Sequence, residues 1–126
     1  MLVLIKRTIM NSILSYARIC HPREGVLLLR GRIRRDKAEV EEILIPPLST
    51  RGNGFSSFPL YMLPLDLSII GVAHSHPSGF LNPSIVDLNN FYGRIMIIVA
   101  YPYMTEKDMI VVNDKGEKLD YRIIEN

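Results

Sequence analysis

His74 and His76 stand two residues apart at the end of the apolar run Ile69 to Ala73, and a Ser84-x-x-Asp87 tetrad follows. In a strand, residues i and i+2 share a face, so both imidazoles leave the same side of the sheet. Two such rings can converge on one cation at about 2.0–2.1 Å each. Pro77 breaks the strand, the chain loops back, and Ser84 reopens regular structure with Asp87 one turn inside a helix. Asp87 then offers a third ligand, a hard oxygen. Two His and one Asp leave the fourth tetrahedral position open, as in catalytic rather than structural zinc sites. An ion held there would bring the pKa of water to about 7 and polarise a carbonyl oxygen. Ser84-x-x-Asp87 also reads as a capping box, in which Asp87 need not touch metal. Both patterns belong to one strand-loop-helix unit, and that shared placement favours the metal.

The run His74-Ser-His-Pro77, with seven residues between His76 and Ser84 before the Ser-x-x-Asp, resembles the signature of the JAMM (metal-bearing MPN/JAB1) metallopeptidases. The family pattern is a distant upstream Glu, His-Ser/Thr-His-Pro, and Ser-x-x-Asp after a fixed loop. The resemblance also takes in an early amphipathic helix, Pro22-Arg-Glu24 leading into Val26 to Leu29 and Gly31, and the apolar strand before His74. It implies one domain over residues 1–126, an MPN-type α/β/α sandwich around a mixed sheet with cytidine-deaminase-like architecture.

It further implies one Zn2+ held by His74, His76 and Asp87. Glu24 would be the general base that activates water and passes the proton to the leaving amine, and Ser84 would help hold the oxyanion. From the residues alone, Glu24 is not separable from Glu39, Glu41 or Glu42. Its independent merit is a place at the mouth of a buried strand, where partial burial would suit a base.

The implied substrate is a peptide or isopeptide bond after the C-terminal Gly-Gly of a ubiquitin-like modifier, and short free-standing archaeal members are the nearest in form. Trimming of a sulfur-carrier protein and a non-catalytic MPN scaffold stay open as alternatives, and so does a homodimer. Zinc deaminases share a related architecture, but their Glu two after His and their Pro-Cys-x-x-Cys are missing here.

The elements that must position these residues can be read from periodicity. Leu2 to Ile5 is a short strand. Ile9, Met10, Ile13, Leu14, Ala17 and Cys20 recur at helical spacing, with Thr8 as a plausible N-cap and Pro22 closing the helix. Val26 to Leu29 and Val40 to Ile45 read as partnered strands, and Leu48 to Pro64 as a long surface loop placed to recruit a modifier's extended tail. Ile69 to Ala73 is the metal strand, and a helix is expected from Ser84 to Phe91. Ile95 to Tyr101, Asp108 to Val112 and Leu119 to Ile124 complete the strands, with a turn at Asn113-Asp-Lys-Gly116. Helices interleaved with strands make the class α/β with a mixed sheet.

Composition closes other routes. The chain has 126 residues, 48% of them hydrophobic and 22% charged, which fits one folded domain and excludes a disordered tail. A net charge of +2 gives no case for nucleic acid. Apolar stretches of about seven residues are too short for a bilayer, which needs about 20. The opening MLVLIKRT puts its charges after the apolar residues, unlike a signal peptide. One cysteine, Cys20, excludes an internal disulfide and points to a reducing, cytoplasmic setting; its place on the helix's apolar face suggests core. Arg30, Arg32 and Arg34 alternate and read as a solubilising strand edge, or as a strip for an acidic partner. His21 reads as a surface residue or as one that supports the site from behind.

Overall fold

The computed structural model describes residues 1–46 and 67–125. The expected loop Leu48 to Pro64 lies outside them. In chain order the described elements are β1 (Leu2–Lys6), α1 (Arg7–Cys20), β2 (Val26–Arg34), β3 (Lys37–Leu44), β4 (Ile69–His76), α2 (Ile85–Asn89), β5 (Ile95–Ala100), β6 (Met109–Val112) and β7 (Asp120–Ile124). The strands form one mixed sheet in the order β6-β5-β4-β2-β3-β1-β7. β4 runs parallel to β5, and β1 runs parallel to both β3 and β7; the other pairs are antiparallel.

The two ends of this order come back together. Val112 bridges to Lys118, and the Leu119 amide donates to the Val111 carbonyl at 2.8 Å. Asn113 builds the connecting turn, its Oδ1 accepting from the Lys115 and Glu117 amides at 2.9 and 3.0 Å. Gly116 takes the left-handed φ of 78° that the turn requires. The sheet is thereby nearly a barrel.

Alternation along the strands sends side chains into two cores. On one face, Met10, Ile13, Leu14 and Ala17 of α1 pack against Val3, Ile5, Leu27, Leu29, Ala73, Ile97 and Val99. On the other, Val26, Leu28, Val72, Met96 and Ile98 meet Leu81, Phe91 and Tyr92 from the segment around α2. Each aliphatic side chain buried in these layers contributes about 1.5–3 kcal/mol. The result is the expected α/β layering, with α1 on one side and the α2 segment on the other.

Several boundaries move. α1 begins at Arg7: β1 runs straight into it, and extended Lys6, with no side-chain cap bond, takes the N-cap position expected of Thr8. β2 continues past Gly31, where a Cβ would lie 1.8 Å from the Glu39 carbonyl oxygen. In the arginine stripe β3 pairs with β2 as far as Arg34 while β4 pairs with it only as far as Arg30, and Arg30 and Arg32 reach the carboxylates of Glu42 and Glu39 at 3.5 and 3.4 Å. α2 ends at Asn89, and Phe91 turns into the second core instead of extending the helix. Cys20 is half-buried at the end of α1 rather than fully in the core. Among the described residues, no helix is long and apolar enough to cross a membrane.

Candidate metal centre

β4 is central, with β2 on one side and β5 on the other, so the end of this strand is held from both flanks. His74 is 2% exposed and His76 is half-buried at the sheet's rim. Both project toward α2. Ser84 caps that helix: its Oγ accepts from the Asp87 amide at 3.0 Å, and the Ser84 amide donates to Asp87 Oδ2 at 2.8 Å. The capping box is present in full, and it does not compete with the imidazoles for Asp87. Asp87 Oδ1 lies 3.0 Å from His74 Nδ1, and Oδ2 lies 3.0 Å from His76 Nε2. The box is what aims the carboxylate.

The electrostatics follow from this geometry. Burial pushes His74 below its ordinary pKa, against the pull of Asp87. Burial acts on His76 in the same direction, but its bonds to Asp87 and the Phe80 carbonyl, with the charges of Asp87 and Glu24, hold its pKa above the ordinary value. Burial alone would raise Asp87, yet bonds from His74, His76 and the Ser84 amide hold it well below the usual carboxylate range. Asp87 is an anion here.

The donor set fits a metal ion. His76 Nδ1 faces the Phe80 carbonyl oxygen at 2.7 Å, and a carbonyl only accepts, so Nδ1 carries a proton. In the neutral ring the lone pair then sits on Nε2, directly opposite an ionised carboxylate oxygen. Two acceptors in that position need a positive species between them, either a proton or a cation. A backbone carbonyl on the far ring nitrogen is also how proteins fix a metal-binding imidazole in its tautomer. One ligand atom from each of His74, His76 and Asp87 lies within 4.8 Å of the others, and two imidazoles with one carboxylate suit zinc.

Glu24 and Ser84 line the same cleft as His76 and Asp87, with Pro22 and Phe80 at its sides. Glu24 is exposed, so the burial expected at the strand mouth is absent. Its charge nonetheless acts on both imidazoles. His21 lies behind this loop: its ring stacks on Tyr101 at a centroid distance of 4.8 Å, and its Nδ1 is 3.0 Å from the Tyr103 hydroxyl. Residue spacing does not single out Phe80, which acts through its carbonyl. Nor does it single out Ser75, whose signal is a polar side chain on the apolar face of a buried strand.

No family model matches the chain. A probable metalloprotease of Haloferax volcanii is 33% identical over 112 residues, covering 83% of this chain and 69% of that protein. A solved structure described as JAMM, a metalloprotease-like zinc site in the proteasome and signalosome, superposes with a TM-score of 0.70 at 30% identity, over 99% of this chain and 100% of its own. A JAB1/MPN domain protein from Archaeoglobus fulgidus gives 0.69 at 31% identity, over 96% and 98%. A Desulfitobacterium hafniense protein at 19% identity, with a TM-score of 0.71 over 98% and 94%, shares the fold. Sequence identity at this level, spread over one shared fold and ending in a His-His-Asp cluster suited to zinc, makes the chain a member of the JAMM (JAB1/MPN) metalloprotease family.

Proposed function

We propose that this metalloprotease, over residues 1–126, hydrolyses the peptide or isopeptide bond that follows the C-terminal Gly-Gly of a ubiquitin-like modifier. His74, His76 and Asp87 hold the zinc, Glu24 is the general base and Ser84 an oxyanion donor. The observation that carries the reading is the Asp87 carboxylate, which closes a capping box and faces two imidazoles in the cleft that Glu24 lines.

Bound zinc supplies Lewis acidity, bringing water's pKa to about 7 and polarising the scissile carbonyl. Glu24 accepts a proton from the attacking water and delivers it to the leaving amine as the C–N bond breaks, so the carboxylate is restored each cycle. Ser84 Oγ accepts from the Asp87 amide, and a hydroxyl that accepts still carries one proton. Donated to the carbonyl oxygen as it gains charge, that proton stabilises the tetrahedral state. Phe80 keeps His76 in the tautomer that leaves Nε2 basic. A chain with one cysteine suits a reducing, cytoplasmic setting.

The test is to assay zinc in the purified protein and to incubate it with a modifier–lysine conjugate, with and without a chelator. Release of the intact modifier, detected by mass and blocked by the chelator, is the expected result. Cleavage of a C-terminally extended modifier with the lysine conjugate left intact would replace this reading with the trimming role. Neither zinc nor cleavage would leave a scaffold.

A further inference from the structure

Ser75 sits between the two histidines but points the other way, into the α1 face among Ile13, Tyr16, Ala17, Leu27 and Val99, and it is 3% exposed. A hydroxyl in such surroundings must find a partner. It takes the Gly25 amide, with N to Oγ at 2.7 Å, while the Ser75 amide donates to the Gly25 carbonyl at 3.0 Å. In an antiparallel ladder a hydrogen-bonded pair exchanges two backbone bonds. Here one half of the rung is backbone, and the other half goes to a side chain. The ladder that pairs Val26 with His74 stops there, and the chain turns out into the cleft.

The Gly25 amide belongs to the peptide unit that directly follows the Glu24 Cα. That unit is planar and includes the Glu24 Cα, so holding its N–H holds the Cα in place and with it the point from which the side chain leaves the backbone. Gly25 has little room to shift, since even a Cβ there would lie 3.1 Å from Cys20 Sγ and from Tyr16. We propose that Ser75 is a positioning residue for Glu24: through the Gly25 amide it ties the base's loop to the strand that carries both histidines. The same strand segment then sets the spacing between base and metal donors. This inference rests on the reading of Glu24 as general base.

Four variants of the zinc-loaded chain test it, read by kcat, KM, zinc content and hydrogen exchange at the Gly25 amide. Ser75→Val and Ser75→Thr have the same shape and differ in the hydroxyl. Ser75→Val is expected to lower kcat roughly ten- to hundredfold, the size of a misplaced catalytic group. KM and zinc should hold while Gly25 exchange accelerates. Ser75→Thr should recover turnover and slow exchange. In a Glu24→Gln background, Ser75→Val should cost nothing further, because the base it positions is gone.

Equal kcat in the Val and Thr variants would overturn the proposal, and so would independent, multiplicative losses in the double variant. A Glu24→Gln protein with parental turnover would instead overturn the base assignment itself, and this inference with it. If Ser75→Val does not fold, Ser75→Ala takes its place in every comparison.

Discussion

Ser84-Ile-Val-Asp87 and Thr105-Glu-Lys-Asp108 are the same local device in two places. Each opens a helical turn with a full capping box. In the second, Asp108 Oδ2 accepts from the Met104 and Thr105 amides at 2.8 and 3.4 Å, and the tetrad starts a single 3-10 turn at the surface. In the first, Asp87 is buried and its two oxygens also face His74 and His76. Among the described residues, the three-donor cluster that could hold a metal contains Asp87 and not Asp108. The difference is not in the tetrad. It lies in what the sheet brings opposite: the rim of β4, with two imidazoles on one face.

Matched substitutions in the two boxes are the way to break this comparison. Asp87→Asn leaves an acceptor for the cap but removes the anion, so bound zinc and cleavage should both fall to background. Asp108→Asn should keep full zinc and a kcat within about threefold of the parent, as for a substitution away from the site. Metal analysis beside a turnover assay separates them, and full zinc in Asp87→Asn would sink the ligand assignment.

Glu24→Gln comes next in size. The amide keeps shape and hydrogen-bonding capacity but accepts no proton at neutral pH, so kcat should drop by about 10²–10⁴ with zinc retained. Parental turnover would move the base elsewhere.

Ser84→Ala should lower kcat by roughly 10²–10³ with KM nearly unchanged, because an oxyanion contact strengthens in the transition state. It should also lose a cap. If zinc-loaded Ser84→Ala loses stability but keeps a kcat within about threefold of the parent, Ser84 is a cap like Thr105 and no more. Thr105→Ala has the smallest expected effect. Its loss should sit at the low end of about 0.5–2 kcal/mol, seen as a lower unfolding midpoint with activity unchanged.

The His74, His76 and Asp87 cluster that could hold a metal is legible in the sequence because each member is placed by a short-range rule. Period two puts His74 and His76 on one face, and the box sets Asp87 relative to Ser84. Glu24 is different. It stands far from the histidines in the chain, and the Gly25–Ser75 bonds that hold its loop join residues 50 positions apart that no local pattern links. The same holds for β2. Its apolar half is visible in sequence, whereas the carboxylates that meet Arg30 and Arg32, those of Glu42 and Glu39, come from β3 across the ladder. What the sequence conceals is the pairing of distant segments, which depends on the whole sheet.

The parallel pairing of β1 with β7 has a kinetic consequence. Leu2 lies in register with Asp120, so this contact closes a loop of more than a hundred residues, and its entropy must be lost before the strands reward each other. The turn at Asn113 works in the opposite sense, delivering β7 to β6 over a few residues. Refolding should therefore be slow for a domain of this size, with the β1–β7 contact late and the Asn113 turn early. Gly116→Ala, which strains a left-handed position in that turn, should then change the folding rate more than the unfolding rate. Weakening the β1–β7 contact, as by breaking the Arg7–Glu125 ion pair at 2.6 Å, should act mainly on unfolding.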